Sequence, residues 1–443
     1  PWYSQSLACH ISPSRVDTEI KKGIKKGVFV SDLRSRITAT DSSGAPLGTN
    51  VAIVGGSVIG LATALKAASA GFTVTVYDPS LSWANSAGWC AGGMLGGITE
   101  AWPGEDEQLR LGAASLRHWP GFGGKLNANH PHVFTSTVGT LNVGVDAGDV
   151  ADLEKIYQYV TTREDLWARG GTIDGVAPFL APGSDNPVDA RMRKITRREL
   201  RALEPSLSRA ARAALLTEGE RSVDNRELLA ALREQCEGTY GVTLCERQID
   251  DLNDLVNGTI GRYDQVVLAA GNGSQALAAT VGINLPIRPI KGEVLRLHSR
   301  PGVPEPPKRT IRGRVHGRPI YLVPRPWGLL IGATEYEHGE DRQVTVGGVL
   351  QLLEDTEILF PGVTDYELYE CIAGLRPGSI DNLPYLGRVP EALDGRLVVA
   401  TGHGRNGILH TPLSAVAAVA ALIGQELPEA KACDPHRIPN FIL

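Results

Sequence analysis

Asn50 to Val54 is a short, mostly apolar run that stops at a glycine turn, Gly55-Gly56-Ser57-Val58-Ile59-Gly60. An Ala- and Leu-rich stretch from Leu61 to Ala70 follows and predicts a helix. Thr73 to Asp78 then alternates apolar and polar residues and ends in an acid, as a second strand would. Strand, glycine turn, helix and strand in this order describe a βαβ unit. Further along, Gln108 to Trp119 reads as a helix, residues 132–145 alternate as strands, and residues 149–169 carry helical spacing through Leu153, Ile156, Val160 and Leu166. A short helix, Arg197 to Glu204, breaks at Pro205. Arg226 to Thr239 predicts another helix, for which either Asp224 or Asn225 can accept the orphan amides of the first turn.

The C-terminal part, from Val242 on, is richer in β patterns. Val242 to Leu244 and Tyr263 to Ala270 read as strands, the latter running into the turn Gly271-Asn272-Gly273. Ile290 to Leu297 and Ile320 to Ala333 are strongly β, with a turn at Arg325-Pro326-Trp327-Gly328. A helix is expected from Thr345 to Phe360, strands at Glu367 to Ala373 and Leu397 to Ala400, a glycine turn from Gly402 to Gly407, and a last helix from Pro412 to Ile423. Nucleotide-fold signatures therefore recur at the start, middle and end, with β-rich insertions between them. The expected fold is α/β, a Rossmann-like domain interleaved with a β-rich substrate domain. Boundaries follow: 50–130, 220–288 and 370–430 for the first, 131–219 and 289–369 for the second, with an arm at 1–49 and a tail at 431–443.

Composition narrows the class of partner. With 44 basic and 49 acidic residues the net charge is −5, which argues against a nucleic-acid surface. Basic runs at Lys21 to Lys26 and Arg191 to Arg201 read as solvated faces. No run approaches the ~20 apolar residues that cross a bilayer. The six cysteines (Cys9, Cys90, Cys236, Cys245, Cys371, Cys433) form no C-x-x-C pair, so a reduced cytoplasmic setting and no metal site are expected.

The first turn carries the first chemistry. Backbone amides at a helix N-terminus bind phosphate, and Asp78, at the end of the second strand, would accept from ribose hydroxyls. The usual middle glycine of G-x-G-x-x-G is Ser57 here, whose hydroxyl could itself meet a phosphate oxygen. The turn alone serves NAD or FAD equally. Between Pro79 and Gly97 a loop of small residues suits close passage against a flat ligand.

Six segments together resemble the D-amino-acid oxidase family of FAD-dependent oxidoreductases, and within it the glycine oxidase branch that supplies an imine for thiazole synthesis. They are Gly55 to Leu61, Ser86 to Leu95, Ala202 to Leu207, Ile287 to Glu293, Tyr321 to Arg325, and the pair Ala373 to Pro377 with Thr401 to Leu409. The resemblance spans roughly residues 50–425. It implies noncovalent FAD, with Gly55, Gly56, Ser57, Val58, Ile59, Gly60 and Asp78 on the adenosine diphosphate half. Ser86, Ala91, Gly92, Gly93 and Met94 would run along the flavin, Gly271 would face the cofactor, and Gly402, His403, Gly404, Asn406, Gly407 and Ile408 would approach its pyrimidine edge. Arg376 is implied as the carboxylate clamp, Tyr321 as its hydroxyl partner, and Arg405 as a residue of the active-site mouth.

The activity so implied is oxidation of a small amino acid or amine, with dioxygen as second substrate and a homo-oligomer as assembly. D-Amino-acid or N-methyl-amino-acid oxidation, dehydrogenation, or a noncatalytic FAD-binding subunit are the competing readings. Glu335, where glycine oxidase has an apolar residue, either faces the pocket or points to solvent beside Tyr336, Glu337 and His338.

Overall fold

The computed structural model describes residues 38–84, 86–127, 129–163 and 192–443. Asn50–Val54 is buried along nearly its whole length, as a strand covered on both faces must be. It pairs in parallel with Thr73–Asp78 on one side and Gln265–Leu268 on the other. Leu397–Thr401 and Thr243–Glu246 extend this sheet in parallel, and Tyr385–Val389 closes one edge antiparallel, giving six strands. Apolar clusters lie on both of its faces. One gathers Leu61, Leu229 and Leu413 from three helices, Val58–Ser69, Asn225–Glu234 and Gly407–Leu422. The other packs Leu255, Leu277 and Phe441 against the opposite face.

The second sheet has eight strands, in the order Glu367–Gly378, Arg288–His298, Gly328–Gly332, Arg318–Arg325, Thr310–Val315, Thr140–Gly144, Ala213–Thr217 and Met192–Ile195. The turn expected at Arg325 to Gly328 joins a hairpin in which Tyr321 lies opposite Gly332. Arg288–His298 runs antiparallel to Glu367–Gly378 and sets Ile290 opposite Arg376 and Gly292 opposite Gly374. The boundary expected at residue 370 falls inside this strand, which pairs along its length with the larger sheet. Helix Val346–Leu359 covers the sheet through Leu352 and Leu359.

Several elements differ from the sequence reading. The helix expected at 108–119 runs Asp106–Asn127 and contains Pro120. The one expected at 149–169 is Ala147–Thr161, closed by an Asp146–Asp149 capping box, and residues 164–169 lie outside the described part. Asp224 caps the helix of residues 225–234, accepting from the amides of Arg226 and Glu227. Asn225 instead donates to the carbonyls of Gly88 and Trp89. The last helix starts at Gly407, five residues before Pro412. Residues 38–49 are no free arm: Thr38 bonds the Ile423 carbonyl at 3.0 Å, and Ala39 and Leu47 are buried in the core.

Candidate active site

The C-terminal ends of the parallel strands open onto one continuous cavity of about 750 Å³ that reaches the larger sheet. This is where an open α/β sheet binds its ligand. Gly55 adopts φ 110°, and a Cβ on Gly60 would stand 1.7 Å from the Gly55 carbonyl oxygen, so both positions demand glycine. The turn they make aims the start of Val58–Ser69 at the cavity. That helix has no side-chain cap and no acid in its first turn, which leaves its first amides for a ligand. Asp78 lines the cavity while accepting from Gly56 N at 2.7 Å and Ser80 N at 2.9 Å. Its two oxygens keep acceptor capacity beyond those bonds. Ser57 lines the cavity too, but its Oγ is buried without a partner, close to Gly88.

Ser86, Ala91, Gly92, Gly93, Met94 and Gly271 all line the same space. So do Val58, Ile59, His403, Gly404, Gly407 and Ile408. Gly56, Gly60, Gly402 and Asn406 do not. Gly56 and Gly60 shape the first turn from beneath it. Gly402, at φ 77°, turns the chain over the Tyr385 ring. Asn406 borders a small separate crevice. His403 is buried, shares a 2.8 Å hydrogen bond with Ser414 Oγ, and has its pKa pushed down to about 3 by burial. His410, 6.3 Å away ring to ring, is held at about 3 by the same cause. Both are neutral imidazoles at ordinary pH.

At the far end the cavity is walled by charged and phenolic side chains. Arg376 lies over Gly292, and its Nη1 donates to the carbonyls of Thr334 at 3.3 Å and Lys291 at 3.4 Å. Among the described residues no carboxylate pairs with it. Tyr321 stands beside it, its hydroxyl kept protonated because burial raises the pKa, against the opposing pull of Arg376. A Cβ on Gly332 would meet that hydroxyl at 2.4 Å, and one on Gly292 would meet Arg376 Nη2 at 2.3 Å. Arg405 lines the cavity but is engaged by Glu100 at 3.2 Å and Glu105 at 2.9 Å, so it is part of the wall rather than a free cation. Glu100 also holds Arg312. Glu335 is exposed and yet lines the cavity, which places it at the mouth.

Other contributors escaped the sequence reading. Arg325 is buried, pairs with Asp224 at 3.3 Å and donates to the Gly92 carbonyl at 2.9 Å, fixing the small-residue loop. Its pKa is drawn down to about 10 by burial. Glu220, fully buried, accepts from the amides of Ile98 and Thr99 and so sets the approach to Glu100. Glu220 lies in the turn before Arg221–Val223 and Arg325 ends the strand Arg318–Arg325, positions where a charged residue reads as solvent-facing and gives no sign of its buried partner. Cys90 lines the cavity with its thiol pushed up to about 11 by burial, whereas Cys371 does not line it.

Residues 50–421 match the family model described as FAD dependent oxidoreductase. The chain belongs to this family. Its FAD dependence agrees with the cavity, where a glycine turn, unclaimed helix amides and an acceptor carboxylate meet at one end. Glycine oxidase from Geobacillus kaustophilus is 31% identical over 379 residues, 82% of this chain and 90% of that protein. A crystal structure titled as glycine oxidase from the same species superposes with a TM-score of 0.73 at 27% identity, covering 88% of this chain and 98% of the other. Iminodiacetate oxidase from Chelativorans sp. BNC1 shares the fold with a TM-score of 0.71 at 24% identity, covering 87% and 98%. The α/β architecture with its β-rich second sheet is the fold of this family, and no helix among the described residues is long and apolar enough to cross a membrane.

Proposed function

We propose that this FAD-dependent oxidoreductase oxidises a small amino acid in the manner of glycine oxidase. The observation that carries the reading is Arg376: a cavity-lining guanidinium without an acidic partner among the described residues, beside the protonated hydroxyl of Tyr321. A planar guanidinium takes a carboxylate through two parallel hydrogen bonds, which fixes orientation as well as charge. The Tyr321 hydroxyl donates a third.

Noncovalent FAD would lie with its diphosphate on Gly55 to Ile59, its ribose at Asp78, and its ring between the Ala91 to Met94 loop and the Gly404 to Ile408 turn. When bound, it supplies a hydride acceptor at N5 and a route for the electrons to dioxygen, giving hydrogen peroxide. The chain's own contribution is position. Arg376 and Tyr321 hold the carboxylate, which orients the α-carbon hydrogen toward the ring. His403 and His410 would be weak bases, because burial holds the pKa of each down to about 3. Loss of hydride from carbon and a proton from nitrogen leaves an imine, and water converts it to a 2-oxo acid and ammonia.

Glu335 at the mouth favours a second reading, a substrate carrying an additional amine or a larger polar group. Anaerobic absorbance spectra with glycine, sarcosine and D-amino acids separate the substrates, and peroxide formation separates oxidase from dehydrogenase. A yellow protein that no amine bleaches would contradict both readings and favour a noncatalytic subunit.

A further inference from the structure

The strand Arg288–His298 presents alternate residues to opposite faces. Gly292 faces the cavity and leaves room for the Arg376 guanidinium. Lys291 and Glu293 point the other way and are fully buried, an uncommon state for charged residues unless they are paired. Lys291 Nζ lies 2.5 Å from Asp341 Oδ2, 2.9 Å from the Gln343 carbonyl and 3.8 Å from Glu293 Oε1. Glu293 in turn accepts from Thr345 N at 2.7 Å and Thr334 Oγ1 at 3.2 Å.

These bonds tie down both ends of one segment. At its start, Tyr336 and Lys291 exchange backbone hydrogen bonds of 2.8 and 3.0 Å. At its end, Asp341, Gln343 and Thr345 are held by the buried pair. Glu335, just before the first tie, and Arg342, within the second, both line the cavity. The same residues prop the clamp, because the carbonyls that receive Arg376 Nη1 belong to Lys291 and Thr334.

We propose that Lys291 and Asp341 are positioning residues for the substrate: their ion pair straps residues 335–345 across the carboxylate end of the cavity and holds the carbonyls that orient Arg376. This rests on Arg376 being the carboxylate clamp. It extends that reading to two residues that touch neither substrate nor cofactor. Asp341 is half-exposed, so its substitution perturbs the strap with little effect on the core.

The test uses the full, FAD-loaded chain with glycine as substrate. Asp341→Asn is expected to raise KM at least tenfold, about 1.4 kcal/mol, with kcat within threefold and flavin content unchanged. Trypsin should cleave after Arg342 faster in that variant, and Asp341→Glu should recover most of the KM. An Asp341→Asn enzyme with KM within twofold of the parent would overturn the proposal, whatever its thermal midpoint, because a merely structural pair lowers stability alone. Should Asp341→Asn not be isolated, Lys291→Arg decides. It keeps the charge but misplaces it against Asp341, so a KM raised at least fivefold with kcat within threefold supports the strap, and a KM within twofold of the parent overturns it. Parent enzyme unreactive with every amine would instead sink the clamp reading itself.

Discussion

Arg376 and Tyr321, the proposed clamp, have room at the cavity wall because two neighbours lack side chains. A Cβ at Gly292 would sit 2.3 Å from Arg376 Nη2, and one at Gly332 would sit 2.4 Å from the Tyr321 hydroxyl. Gly292→Ala should therefore raise KM for glycine by tenfold or more while flavin stays bound, and steady-state kinetics with a flavin spectrum would show it. The two residues proposed as the clamp stand out in the sequence because each sits in a distinctive segment, Gly374-Leu375-Arg376-Pro377 and Tyr321 to Arg325, and the structure brings both to the cavity wall. The glycines opposite them were not, since their need is a close approach between segments far apart in the chain. Arg405 was legible by position but not by state. Glu100 and Glu105, some 300 residues earlier, decide that it is already paired. Glu335 was open between pocket and solvent, and the structure puts it at the boundary of the two.

At the level of elements, the first strand and its turn were readable because the glycines answer to local backbone geometry, while the helix starts at Val58, three residues before the expected Leu61. Gly60→Ala places a methyl group against the Gly55 carbonyl, with no flexible side chain to give way. The expected product is a folded but nearly colourless protein, checked by flavin absorbance per mole of chain against circular dichroism. A yellow variant would show that the turn tolerates what its geometry forbids. The last helix was harder to read. Proline is favoured at a helix start, so Pro412 suggested the beginning, yet the helix runs from Gly407 through it. Burial of Ile408, Leu409 and Leu413 in the core outweighs the amide that proline lacks. That earlier start brings Gly407 and Ile408 to the cavity wall.

Across the whole molecule, two sheets share one cavity, and the interleaving of their strands was visible in the order of patterns. What sequence could not show was the pairing of the strand Glu367–Gly378 with the larger sheet, which is a long-range choice. Two buried imidazoles, one of them on the cavity wall, also give the fold a pH signature. His403 and His410 have folded pKa values near 3, below the ordinary value of 6.5. A depressed histidine leaves the unfolded chain holding more protons between those limits, so stability is full above about 6.5 and falls as pH drops toward 3. The thermal midpoint should decline between pH 7 and pH 5 in the parent and less steeply in His410→Leu. Equal slopes would remove His410 from the account.

Arg376 is proposed to hold the substrate carboxylate in the FAD cavity. Anaerobic titration of the yellow protein with glycine tests it most directly, with Arg376→Ala in parallel. Bleaching of the parent, and a requirement for at least about 100-fold more glycine in the variant at equal flavin content, is the predicted result. Equal titration curves for the two proteins would contradict it.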